Sequence, residues 1–221
     1  MEIIKPGMFG KNVAADNLRT QFDFFNEQVL YSGRKPYAVF VGDSITMQWD
    51  LYTYFKTDKL LVNRGIGGDE SKYVLLRFDA DCIQLKPEKA ILMIGTNDIF
   101  RSEDDVWWRS TAGETPDEVL EDYKNNIRGM VKKCDDAGIE LILCSVLPST
   151  IAPPFHREMR WEMAAKMNEF LKTLGKTYID YVSLLSPDGK NLPEDLTPDG
   201  VHPNAKCYTL MAEELKRRIE V

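Results

Sequence analysis

Apolar residues along this chain fall into two patterns. Short, nearly unbroken runs of Val, Ile and Leu occupy residues 37–41, 60–63, 90–94 and 139–146, with a weaker fifth run at 177–182. Continuous apolar runs of this length predict strands covered on both faces rather than half-exposed ones. Between the runs, apolar positions recur at helical spacing. Residues 70–85 carry Tyr73, Val74, Arg77, Phe78 and Ile83 on one stripe. Thr115, Pro116 and Glu118 form a helix start, with Thr as N-cap, Pro in the first turn and Glu at the capping-box position. That helix is predicted to run to Ala137 and stop at Gly138. Further helical patterns cover 13–30, 157–174 and a last stretch that opens near Pro203 and runs to 219.

Strands that alternate with crossovers of helical length predict a parallel sheet with helices on both faces, an α/β fold. In such sheets ligands bind beyond the carboxyl ends of the strands, so the residues that follow each strand are the ones to inspect. No repeat or long linker interrupts the pattern. The expectation is one domain over 1–221, with a helical extension at 1–36 and the core at 37–221. The longest connection without periodicity is 100–114.

Composition narrows the partners. The 221 residues carry a formal net charge of −7, which argues against nucleic acid and anionic membrane surfaces. The four cysteines, Cys82, Cys134, Cys144 and Cys207, are widely spaced with no CxxC, which disfavours a zinc site and favours buried free thiols. No apolar stretch reaches the length of a bilayer span, and residues 1–11 carry no signal-peptide pattern. A cytoplasmic protein and an exported one whose signal has been removed both fit.

Four segments carry chemistry. Gly42-Asp43-Ser44-Ile45-Thr46 follows the first strand and places Ser44 at the mouth of a helix, as a nucleophile or as an ordinary N-cap. Gly65-Ile66-Gly67-Gly68-Asp69 follows the second strand; Gly68 can aim a backbone N–H at an oxyanion, or the glycines make a plain tight turn. The lysine of a phosphate-binding loop is missing there. Gly95-Thr96-Asn97-Asp98 follows the third strand, and the Asn97 amide is a second donor. Asp199-Gly200-Val201-His202-Pro203 sets a carboxylate three residues before a histidine, the arrangement that fixes an imidazole tautomer and prepares a base. The other histidine, His156, has Pro153 at that position. Asp43, Asp69 and Asp98 read as structural, bonding the local backbone. Taken together, nucleophile, oxyanion donors, base and orienter are the parts needed for acyl transfer.

On these four blocks the sequence resembles the SGNH hydrolases, or GDSL-type esterases, over nearly the whole chain from Tyr37 onward. The resemblance implies a flavodoxin-like three-layer α/β/α sandwich with five parallel strands in the order 2-1-3-4-5. It implies hydrolysis of acyl esters with neither cofactor nor metal. Catalytic roles then fall on Ser44, Asp199 and His202, and the oxyanion hole on Ser44, Gly68 and Asn97. The Gly-Asp-Ser pentapeptide differs from the Gly-x-Ser-x-Gly elbow of α/β-hydrolases.

The expected substrate is a small-molecule or saccharide ester with a short acyl group such as acetyl. The polar connection 100–114, with adjacent Trp107 and Trp108, favours an O-acetylated carbohydrate, because an indole face can stack on a sugar ring. The same tryptophans also fit a core or an oligomer contact. A lysophospholipase or thioesterase is the alternative within this chemistry, and a non-catalytic binding module or a flavin binder lies outside it. Nothing in the sequence sets the oligomeric state.

Overall fold

A computed structural model describes residues 3–103, 114–151 and 156–221. Five strands, β1 (Ala38–Gly42), β2 (Leu61–Gly65), β3 (Lys89–Met93), β4 (Glu140–Cys144) and β5 (Thr177–Ile179), form a parallel sheet in the order β2-β1-β3-β4-β5. This is the order that the family resemblance implies. The helices around the sheet are α1 (Asp16–Ser32), α2 (Ser44–Met47), α3 (Leu51–Tyr54), α4 (Ser71–Asp81), α5 (Thr96–Ile99), α6 (Pro116–Ala137), α7 (Arg157–Lys172), α8 (Tyr181–Leu185) and α9 (Ala205–Lys216). Every residue of β1 is buried, as the unbroken apolar run requires.

The predicted elements differ from the structure mainly at their ends. The fifth strand stops at Ile179 rather than continuing to 182, because Asp180 accepts a hydrogen bond from the Ser183 amide at 3.0 Å and starts α8. The last helix is capped by Asn204, whose side chain accepts from the Cys207 amide at 3.0 Å, so Pro203 lies just outside it rather than opening it. The first helix begins at Asp16 rather than 13. The capping box is present: Thr115 N donates to Glu118 Oε2 at 2.8 Å, and Glu118 N donates to Thr115 Oγ1 at 3.3 Å.

The chain divides into two compact units. The first comprises residues 1–94, 126–142 and 221, and the second comprises 95–125 and 143–220. In the first, β1 pairs in parallel register with β2 on one side and β3 on the other, so that Gly42 lies opposite both Gly65 and Met93. Phe40, Trp49 and Phe55 form an aromatic cluster with centroid separations of 5.6–5.8 Å. A buried ionic network joins α1 to α4. Arg19 pairs with Asp23 and Asp81, Asn26 Nδ2 donates to Asp81 Oδ1 at 2.8 Å, and Arg64 Nε donates to Asn26 Oδ1 at 2.8 Å.

In the second unit, Asn168 on α7 holds the exit of β4. Its Oδ1 accepts from the Val146 amide at 2.8 Å and its Nδ2 donates to the Val146 carbonyl at 2.9 Å. All four cysteines are buried and none is paired in a disulfide. Burial pushes the thiols of Cys144 and Cys207 up to about 12, which keeps both protonated. No helix among the described residues is long and apolar enough to cross a membrane.

The aromatic cluster generates a stability prediction. Phe40 is 1% exposed and contacts two other rings, so Phe40→Ala leaves a cavity that its neighbours cannot close. The expected loss is about 3–5 kcal/mol in urea denaturation.

Candidate active site

Each block singled out in the sequence occupies a turn or the first turn of a helix. Ser44 opens α2 directly after β1 and is half-buried. Asp43 caps that helix, its Oδ1 accepting from the Ile45 amide at 2.9 Å, in agreement with a role in bonding the local backbone. The Gly42 carbonyl accepts from the Ile66 amide at 3.0 Å and from Arg77 Nη2 at 3.2 Å. A Cβ at Gly42 would collide with the Met93 carbonyl and the Thr46 hydroxyl, so only glycine lets the strand leave the sheet this tightly.

The glycine turn after β2 lies beside the serine. A Cβ built on Gly67 would sit 3.9 Å from Ser44 Cβ and 3.4 Å from the Met47 methyl group. Gly68 has φ +77°, a left-handed conformation that other residues adopt only under strain. The turn closes when the Asp69 amide donates to the Ile66 carbonyl at 3.2 Å. Asp69 itself is fully buried. Its Oδ1 accepts from the Glu70 amide at 2.9 Å and its Oδ2 from Arg77 Nε at 2.8 Å. Burial pushes the Asp69 carboxyl up to about 6, against the pull of the Arg77 charge and hydrogen bond. Thus the first unit brings Ser44 and the glycine turn together.

The second unit holds Asn97, Asp199 and His202. Asn97 is the half-buried residue of α5, flanked by buried Thr96 and Asp98. Asp199 Oδ2 lies 2.6 Å from His202 Nδ1, and Asp199 Oδ1 accepts from the His202 amide at 2.8 Å and the Val201 amide at 2.9 Å. One carboxylate therefore organises both the imidazole and the backbone that carries it. Partial burial raises the Asp199 pKa, but the hydrogen bonds from His202 and Val201 outweigh it and hold the carboxyl below the usual range. His156 immediately precedes α7 and is half-buried.

Trp107 and Trp108 lie outside the described residues. The flanks of their connection are anchored by ion pairs. Arg160, 1% exposed, donates through Nη2 to Glu103 Oε2 at 2.7 Å, and Arg101 Nε donates to Glu114 Oε2 at 2.8 Å. Among the described residues no group of three or more His, Cys, Asp or Glu side chains is arranged to hold a metal ion. The Arg77 network did not emerge from the sequence reading. Its signal was a charged residue on the apolar stripe of the 70–85 helix, with Asp81 one turn later.

Comparison with known proteins bears on the family and the fold. A model of the GDSL-like lipase/acylhydrolase family matches residues 40–210. An acetylxylan esterase of Geobacillus stearothermophilus is 24% identical over 162 residues, covering 72% of this chain and 71% of that protein. Among solved structures, a GDSL-like lipase from Bacteroides thetaiotaomicron is 27% identical with a TM-score of 0.70, covering 90% of this chain and 97% of the other. A catalytic mutant of an acetylxylan esterase from Geobacillus stearothermophilus shares the fold at 19% identity and a TM-score of 0.61, covering 85% and 95%.

The turn geometry is testable by itself. Gly68→Ala places a side chain at φ +77° and 3.1 Å from Ala14 Cβ. The expected cost is about 1–2 kcal/mol, read as a lowered melting temperature.

Proposed function

The chain belongs to the GDSL-like lipase/acylhydrolase family and is a carboxylic ester hydrolase, and on that premise we propose that it works through Ser44, His202 and Asp199. The observation that carries the reading is the 2.6 Å contact between Asp199 Oδ2 and His202 Nδ1, with the carboxylate also bound by two backbone amides. A carboxylate so placed selects the tautomer with its proton on Nδ1 and makes Nε2 the base nitrogen. Ser44 Oγ attacks the ester carbonyl carbon as His202 takes its proton. Collapse of the tetrahedral intermediate expels the alcohol, which receives that proton from His202. Water then attacks the acyl-enzyme, His202 again accepts the proton, and the acid leaves with Ser44 restored.

The oxyanion takes hydrogen bonds from the backbone N–H groups of Ser44 and Gly68 and from the Asn97 side-chain amide. Donors held in place before the reaction need no reorganisation as charge develops, which makes this the largest single contribution to many hydrolases. No step requires a metal or a cofactor.

We assign the substrate to esters of a short acyl group such as acetyl, with O-acetylated carbohydrate as the class. The similarity to an acetylxylan esterase supports this, as do the adjacent Trp107 and Trp108 in a polar connection after Asn97. An indole face can stack on a sugar ring.

Ser44→Ala should abolish hydrolysis of p-nitrophenyl acetate and labelling by a fluorophosphonate. Asn97→Ala should lower kcat about 10²–10³-fold. Asp199→Asn should lower kcat more than it alters KM, and EDTA should change nothing. Full activity in Ser44→Ala, or labelling of another serine, would overturn the mechanism.

The substrate is tested on acetylated xylo-oligosaccharides beside p-nitrophenyl esters of increasing chain length. Alanine at Trp107 or Trp108 should raise KM for the saccharide several-fold and leave p-nitrophenyl acetate nearly untouched, consistent with a stacking contact of about 1 kcal/mol. A preference for long acyl chains would replace the carbohydrate reading with a lipid one.

A further inference from the structure

We propose that Arg77 is a positioning residue for the oxyanion loop, fixing the Gly68 amide relative to the Ser44 turn through Asp69 and the Gly42 carbonyl. The inference deepens the esterase reading above and rests on it.

The guanidinium is fully buried and its three nitrogens serve three different segments. Nε donates to Asp69 Oδ2 at 2.8 Å, in the residue that follows Gly68. Nη2 donates to the Gly42 carbonyl at 3.2 Å, two residues before Ser44. Nη1 donates to Asp81 Oδ2 at 2.8 Å, one turn along α4. Asp69 passes the constraint on, because its second oxygen holds the Glu70 amide and its own amide closes the turn on Ile66. The Gly42 carbonyl also receives the Ile66 amide at 3.0 Å. The short turn 66–69 is thus gripped at both ends by groups that Arg77 touches.

A planar guanidinium holds such partners in fixed directions, which an ammonium cannot do. Buried ion pairs add little stability over apolar packing of the same volume. What this one supplies is direction, and a misplacement of about 1 Å near reacting atoms can cost on the order of 10²-fold in rate. The outer part of the network, where Asp81 also binds Arg19 and Asn26, ties α4 to α1 and does not touch the 66–69 turn.

The test compares Asp69→Asn, Arg77→Lys and Asp81→Asn with the wild-type chain on p-nitrophenyl acetate. The Glu70 amide and Arg77 Nε bind different oxygens of Asp69, so asparagine at 69 turns its NH2 group towards one of these two donors. Asp69→Asn and Arg77→Lys are expected to lose about 10–100-fold in kcat with KM within about threefold of wild type. Asp81→Asn removes the same charge from the far side of the guanidinium. It should lower the melting temperature and leave kcat within about threefold.

The pH profile supplies a readout that a merely structural role would not move. The charged groups facing Asp69 are Arg77 and Asp81 of α4 and Arg19 of α1, with Arg64 and Asp23 further out in the same network. Burial pushes the Asp69 carboxyl up to about 6, so as the pH falls through that region the wild-type chain should lose the same charge and the gap to Asp69→Asn should close. Hydrogen exchange at amides 66–70 should speed at least about tenfold in Asp69→Asn relative to Asp81→Asn.

A folded Asp69→Asn or Arg77→Lys with kcat within threefold of wild type would overturn the proposal. So would an Asp81→Asn variant that loses as much kcat as Asp69→Asn. If wild type shows no Ser44-dependent hydrolysis, the functional reading falls instead. The positioning role is then decided by exchange alone: equal protection of amides 66–70 in the two variants overturns it.

Discussion

The Gly42 carbonyl oxygen is where the serine turn and the glycine turn are tied together. It receives the Ile66 amide from one side and Arg77 Nη2 from the other, at 3.0 and 3.2 Å. This is possible because β1 and β2 run in parallel register with Gly42 opposite Gly65, so both turns leave the sheet at the same rung. Ser44 then begins α2 two residues beyond that rung, and Gly68 lies three residues beyond it, in the turn after β2. The serine turn and the glycine turn, which carry the proposed nucleophile and the proposed backbone donor, are brought side by side by strand pairing, before any side-chain chemistry is considered. The side chains add rigidity to what the ladder sets up.

The Asp199–His202 turn is built on another principle. Its contacts are local: Asp199 reaches the amides of Val201 and His202 and the His202 ring within three residues. An aspartate that accepts from amides two and three residues on stabilises a turn wherever it occurs. The geometry of the proposed base and its orienter is therefore written into five consecutive residues, and its reach outside them is small. Thr197 Oγ1 accepts from the Gly200 amide at 3.0 Å, and the Gly200 carbonyl accepts from the Thr150 amide at 2.9 Å, which fastens the turn within its own unit.

This contrast explains what could be read from the sequence. The Asp-x-x-His spacing was legible because its meaning is local. The strands were legible because burial on both faces leaves an unbroken apolar run, as in 37–41 and 90–94. The ends were harder, since they turn on single side-chain hydrogen bonds: Asp180 converts the end of a strand-like run into α8, and Asn204 takes the capping role at the position after Pro203. Apolar periodicity carries no information about either. The four short helices α2, α3, α5 and α8 are too brief for periodicity to register.

Arg77 lies on the 70–85 stripe as one of its periodic positions. A charged residue at an apolar position must find partners or pay heavily for burial. Asp81, four residues on, supplies one partner within the helix, and an i, i+4 ion pair on a surface helix would look the same in sequence. The other partners, Asp69 and the Gly42 carbonyl, lie 8 and 35 residues away in the chain, so no local pattern could reveal them. The general consequence is that a cation on the buried stripe of a helix that follows a functional loop asks a specific question: which backbone carbonyl and which carboxylate does it hold? Here the answer lies at both ends of the turn that carries Gly68. The Asp69 carboxyl bears the strain of that arrangement, held ionised by Arg77 in a place where burial alone would favour the neutral acid.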